Sequence, residues 1–260
     1  MTLQAVAVHG RGLVPPGEPV FTAADESLLR GNAAFETLRV YAGRPFLLDR
    51  HLERLAQSAR ELGLPPPDGA AELVGLLLAA APADVVLRLY RSSEALVATA
   101  AALPPELDEL RARGLALSVF EQEPPRFLAG VKTTSYAYAF AARRAAEAAG
   151  TDDALFVAAG RVLECATANI WWATDDVLYT PAAGPGVLSG VTRSLLVELA
   201  GSVEDGHRLD DLLSADEAFT TSSIREVMPV TSVAGRPVGD GRPGPCAARL
   251  QAALRLRSLA

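Results

Sequence analysis

Of the 24 lysine and arginine residues in this 260-residue chain, only Lys132 is a lysine. Ion pairing and solubility rarely demand ammonium over guanidinium, so an arginine-rich chain can lose its lysines at little cost. The survivor is either a chance remnant or a position that needs an amine able to lose its proton and attack a carbonyl, which guanidinium cannot do. Schiff-base chemistry is the natural use of such an amine.

Other residues have the types that would serve this chemistry. Arg54 stands among apolar positions of a predicted helix, where its planar fork could reach inward to a phosphate; alone it reads equally well as a solvated helix arginine. Gly190, Val191 and Thr192 precede a helical pattern, so free N–H groups and a hydroxyl could meet an anion there, or simply cap the helix. Ser222 and Ser223 add two hydroxyls after the strand-like EAFTT. Glu164 ends the strand-like RVLE before the small residues CATAN, and a carboxylate there could bind a protonated ring nitrogen. A lysine, a phosphate anchor and a carboxylate for a pyridine nitrogen are what a pyridoxal-phosphate site requires.

These residues need a scaffold. QAVAVHG, EPVFTA and AAFETLRVY read as strands, and Asp49 as the N-cap of the helix RHLERLAQSARELGL. AAELVGLLLAAA reads as a second helix, followed by the strands VVLRLYRS and EALVATAAAL. LPPELDELRARG, the strand LALSVFE and the proline-bearing QEPPRFLAG suggest a crossing between domains. The expected organisation is a small α+β domain over 1–120, a linker over 121–126 and a larger β-rich domain over 127–260. SYAYAFAARRAAEAAG, VTRSLLVELAG and PCAARLQAALRLRSLA supply helices to the second domain, and ALFVA, RVLE, ANIWWAT and VLYT its strands.

Composition narrows the partners. Half the residues are apolar and the formal charge is -7, which disfavours a general nucleic-acid binder and points to a small molecule. Cys165 and Cys246 are far apart and outside any CxxC or Cys/His cluster, so neither a disulfide framework nor a metal site is expected. No export signal or membrane span is expected either, which fits a cytoplasmic protein.

Six ordered segments resemble the class IV (fold type IV) pyridoxal-phosphate enzymes: SLLRGNAAFETLRVYAGRPFLLDRHLERL, VKTTSYAYAFAARRAAEAAGTDDALFV, RVLECATANIWWAT, VLYTP, GVLSGVTRSLLVELA and FTTSSIREVMPV. The resemblance implies an α/β (α+β) fold of two domains with pyridoxal 5'-phosphate between them, usually in a homodimer whose partner contributes to the pocket. By this resemblance Lys132 carries the cofactor as a Schiff base and serves as proton-transfer base. Glu164 partners the pyridine nitrogen; Arg54, Val191, Thr192, Ser222 and Ser223 form the phosphate cup; and Tyr136 lies near the ring's phenolic oxygen.

The family includes aminotransferases for branched-chain and D-amino acids, (R)-selective amine transaminases and 4-amino-4-deoxychorismate lyase. Thr37 in FET, the ECATAN segment and the VMPV of 227–230 resemble the lyase pattern, which makes the lyase the first expectation, with Thr37 catalytic. A transaminase for D-amino or branched-chain amino acids is the alternative, and a non-catalytic binding protein of the same fold the second. The Arg-x-His carboxylate trap of the best-known D-amino-acid enzymes has no counterpart in YRSSEALV. Phe35, Arg91 and Arg225 are the remaining candidate substrate contacts. Glu36 and Glu226 could equally be structural, pairing with Arg39 or Arg225.

Overall fold

The computed structural model describes residues 2–122, 128 and 130–259. The chain divides into two units. One contains residues 1–104 and 131–136, the other 105–130 and 137–260.

The first unit contains β1 (Leu3–Val8), β2 (Gly12–Val14), α1 (Glu26–Arg30), β3 (Ala34–Tyr41), β4 (Arg44–Pro45), α2 (Leu48–Glu61), α3 (Ala70–Ala80), β5 (Val85–Arg91) and β6 (Leu96–Ala101). Its strands form an antiparallel sheet ordered β2-β1-β6-β5-β3-β4. Period-two alternation assigns the faces of β3. Ala34, Leu38 and Val40 pack with Leu55 and Ala59 of α2, and with Leu73, Val74 and Leu77 of α3, in one core. Phe35, Thr37 and Arg39 therefore stand on the opposite face. Two local expectations change. EPVFTA forms no strand, because Gly12–Val14 is the segment that pairs with β1. Asp49 lies within the first turn of α2, whose N-cap is Leu47 in the left-handed region at φ 54°.

The second unit contains α4 (Leu107–Arg113), β7 (Leu115–Glu121), α5 (Ala137–Ala148), β8 (Asp153–Ala158), β9 (Arg161–Cys165), β10 (Asn169–Thr174), β11 (Val177–Pro181), α6 (Val191–Ala200), β12 (Val203–Asp205), α7 (Leu209–Leu213), β13 (Glu217–Ser222), β14 (Glu226–Val233), β15 (Arg236–Pro237) and α8 (Pro245–Leu259). Its mixed sheet runs β12-β11-β10-β13-β14-β7-β8-β9, with β15 on β14. Ile170, Trp172, Ala218, Met228 and Val230 build the core on one face together with Leu107, Leu115, Leu155 and Leu212. Helices α6 and α8 pack against β13, and Trp171 stacks on Phe219 at a centroid distance of 5.9 Å.

The boundary expected over 121–126 moves. β7 is hydrogen-bonded in parallel to both β14 and β8, so it belongs inside the second sheet, and the first division falls after Pro104. Positions 123–126 of the expected linker lie outside the described residues.

Candidate active site

In the first unit, Lys132 belongs to the short segment Val131–Tyr136, which is fastened along the entry to β3. The Phe35 N–H donates to the Lys132 carbonyl at 3.0 Å and the Thr134 N–H to the Ala33 carbonyl at 2.9 Å. The Lys132 N–H donates to Ser58 Oγ of α2 at 3.2 Å. The Gly31 carbonyl is approached by the hydroxyls of Thr133, Thr134 and Ser135 at 3.1, 2.9 and 3.0 Å. Gly31 itself takes φ +70°, and a Cβ there would meet Ser135 Oγ at 2.8 Å, so glycine suits both the turn and the close approach.

Lys132 Nζ lies 4.5 Å from the centre of the Phe35 ring. Phe35 also stacks on Tyr90 at 6.3 Å and meets the edge of Tyr136 at 5.3 Å, so the lysine sits beside an aromatic cluster. The next rung of the β3–β5 ladder pairs Thr37 with Arg88, on the same face as Phe35 and Tyr90. Arg91, expected as a substrate contact, pairs with Ala34 on the other face, and its Nε donates to the Pro65 carbonyl at 2.9 Å. Alternation along β5 makes Arg88, rather than Arg91, the arginine that shares a face with Thr37.

Behind this rung lies a buried ionic group. Glu36 has no exposed surface; its carboxylate accepts Arg54 Nε at 2.7 Å, Arg54 Nη2 at 2.8 Å and His51 Nδ1 at 2.7 Å. Burial pushes the Glu36 carboxyl up, but the Arg54 charge and the hydrogen bonds from Arg54 and His51 outweigh it and bring the pKa to about 2. Burial lowers the His51 pKa against the opposing pull of Glu36, with the Arg54 and Lys132 charges adding to the decrease. An ionised carboxylate can only accept, so the His51 ring donates to it from Nδ1. Glu36 pairs with Arg54 and His51, not with Arg39 as the sequence reading allowed.

In the second unit, Glu164 Oε2 accepts the Asn169 side-chain amide at 3.1 Å and the Leu188 N–H at 3.0 Å. The same Asn169 amide donates to the Leu188 carbonyl at 2.9 Å. These bonds fix one edge of the carboxylate to β10 and to the loop that leads into α6. Gly190 is the N-cap of α6 and makes no side-chain cap bond, and Val191 and Thr192 open its first turn. A Cβ at Gly190 would collide with Asn169 Oδ1, so the absence of a side chain lets the helix start lie against Asn169. Ser222 ends β13, and its hydroxyl accepts the Arg225 N–H at 3.3 Å; Ser223 opens the turn that follows.

Arg225 is held elsewhere. Its Nη1 donates to the buried Asp153 carboxylate at 2.7 Å, so its charge is matched inside the protein. Glu226 is not its partner: at φ 59°, that carboxylate accepts Arg111 Nη2 at 3.1 Å, Gln251 Nε2 at 2.6 Å and Arg255 Nη2 at 2.9 Å, clasping β14 to α4 and α8. Among the described residues, no group of three or more His, Cys, Asp or Glu side chains is arranged to hold a metal.

Sequence reading missed His51, Ser58, Arg88, Tyr90 and Asn169. The period of α2 puts His51, Arg54 and Ser58 along one side of the helix, a signal present in RHLERLAQS. Arg88 required the register of β5 on β3, which no local pattern gives.

Residues 33–233 match the family model described as amino-transferase class IV. The chain belongs to that family. Among class IV relatives it is 29% identical to a D-alanine aminotransferase from Bacillus licheniformis, with 96% of this chain and 95% of the relative covered. It is 31% identical to a bifunctional aminodeoxychorismate lyase / D-amino acid transaminase from Mycobacterium tuberculosis, with 88% and 89% covered. The structure of a hypothetical aminotransferase from Mycobacterium tuberculosis in its PLP-bound form superposes with a TM-score of 0.88 at 28% identity, covering 98% of this chain and 99% of that one. The two-sheet α/β architecture is that of the fold type IV class IV enzymes.

Proposed function

We propose that this class IV enzyme uses pyridoxal 5'-phosphate to release 4-aminobenzoate and pyruvate from 4-amino-4-deoxychorismate. The observation that carries the reading is the shared face of β3: the Thr37 rung stands next to Phe35, over whose ring Lys132 Nζ lies.

The residues present fit the cofactor. In the first unit Arg54 offers a guanidinium with the chemistry to hold a phosphate, and in the second unit the first turn of α6 at Val191–Thr192 and the Ser222–Ser223 hydroxyls each have the chemistry to meet an anion. Glu164, held by Asn169 and the Leu188 N–H, supplies a carboxylate for the ring nitrogen. When bound, the cofactor supplies an electron sink for the substrate carbon that bears nitrogen.

The chain's own groups then divide the work. Lys132 Nζ would take the proton from that carbon. The ring carbon–oxygen bond to the enolpyruvyl group would break with its electron pair going to oxygen, Thr37 Oγ1 would donate a hydrogen bond to that oxygen, and the proton taken up by Lys132 Nζ would pass to it to give enolpyruvate. Enolpyruvate tautomerises to pyruvate, and the remaining ring becomes aromatic. Phe35, against which Tyr90 and Tyr136 pack, sets an aromatic face beside the lysine amine, while Arg88 receives a substrate carboxylate.

Transamination of D-amino acids is the second reading, supported by the similarity to relatives named for that activity and by an arginine beside the Thr37 rung. A homodimer is part of the proposal: Leu28 and Leu29 of α1 are 67% and 58% exposed, an apolar face that a second copy would cover. The test is to mix enzyme, cofactor and 4-amino-4-deoxychorismate and follow both products. Lysine-dependent release supports the lyase, and transfer of amine from D-alanine without release supports the transaminase.

A further inference from the structure

We infer that Ser58 is a positioning residue for Lys132, and that α2 is the template that sets this lysine relative to Arg54. The inference rests on the reading that Lys132 carries the cofactor.

Ser58 is buried in the interior of α2. A buried helical serine commonly turns its hydroxyl back to the carbonyl four residues earlier. Here the Oγ accepts a hydrogen bond from a segment 74 residues away in sequence, the Lys132 N–H at 3.2 Å. The other side of the same residue is also held, because the Lys132 carbonyl accepts the Phe35 N–H at 3.0 Å. Both backbone polar groups of Lys132 are thus tied to the first unit, one to a helix and one to a strand.

Ser58 lies four residues beyond Arg54 and seven beyond His51, positions that share one side of an α-helix. Arg54 and His51 are fixed through Glu36 on β3, and the Lys132 charge acts on His51. One rigid helix therefore carries the guanidinium expected to receive the phosphate and the hydroxyl that anchors the lysine backbone. Their spacing is set by helix geometry rather than by loops. A long, flexible lysine side chain starting from a fixed backbone searches a smaller volume, which favours a productive approach.

The experiment compares the Ser58→Ala and wild-type holoenzymes. Expected are a fall in kcat of about 10-fold with KM changed less than about twofold, a displaced midpoint in the pH titration of the cofactor's absorbance, and faster hydrogen exchange at the Lys132 amide. Unchanged kcat per cofactor-loaded molecule, titration and exchange, with only a lower Tm, would overturn the inference and leave Ser58 a packing residue. Ser58→Cys keeps the volume with a weaker acceptor; it must show the same three changes in smaller degree and serves if the alanine variant does not fold. Lys132→Ala separates the two levels: if it retains the lysine-dependent absorbance, the reading of Lys132 itself fails, whatever Ser58 does.

Discussion

Thr37 and Arg88 face each other across the β3–β5 ladder, while Arg91, three residues further along β5, turns to the Pro65 carbonyl behind the sheet. The difference between the two arginines is one of strand parity, and it puts Arg88, not Arg91, on the face that Phe35 and Thr37 share.

Arg88→Gln should therefore lower kcat/KM for carboxylate-bearing substrates by roughly 10- to 100-fold, the loss of a charge-assisted bond of about 1.5–3 kcal/mol. Arg91→Gln should change it less than about threefold. Steady-state kinetics of both variants provide the check, and a larger effect from Arg91 would reverse the assignment.

Glu36 makes a prediction about pH. Its folded pKa of about 2 lies below the ordinary 4.5, so its ionised form favours folding. That contribution is fully present above about pH 4.5 and is lost as pH falls through about 2; linkage puts it at about 3 kcal/mol. The lowered His51 pKa acts in the same direction, withdrawing stability as pH falls below the free imidazole value. Glu36→Gln leaves Arg54 a poorly matched, nearly buried cation and should cost roughly 3–5 kcal/mol at pH 7. Its urea midpoint should also vary less between pH 2 and 4.5 than that of the wild type. Equal acid slopes would mean that Glu36 does not carry the effect.

At Gly190 a methyl group would strike Asn169 Oδ1. Gly190→Ala should displace Asn169, release its hold on Glu164 and Leu188, and weaken cofactor retention by about 10-fold, the equivalent of about 1.4 kcal/mol. Gly75→Ala is the contrast: it lies within α3, nothing stands near its added Cβ, and helix propensity predicts a gain of about 0.5–1 kcal/mol. Equilibrium dialysis for the first and thermal unfolding for the second provide the check. Unaltered retention in Gly190→Ala would mean that the Asn169 contact does not support cofactor binding.

Much of this was legible in the sequence because the signals were local. The strands over 115–121 and 161–164, and the helix beginning at Val191, follow from alternation and from glycine placement, and the lone lysine singles itself out by composition. What was not legible depended on pairing between distant segments. The parallel contacts of β7 with β8 and β14 moved the division of the chain to Pro104. The register of β5 chose Arg88 over Arg91, and Asp153 took the charge of Arg225. Proline pairs mark turns, but they do not say which sheet the next strand joins.

The proposed role of Lys132 is amine chemistry on a bound cofactor that releases 4-aminobenzoate. The most direct test is a single-turnover experiment with cofactor-loaded enzyme and 4-amino-4-deoxychorismate, following 4-aminobenzoate and pyruvate together in wild type and Lys132→Ala. Equimolar release by the wild type is expected, with none above background from the variant. Equal release from both would contradict the role of Lys132, and no release from a wild type that still transfers amine from D-alanine would contradict the lyase assignment.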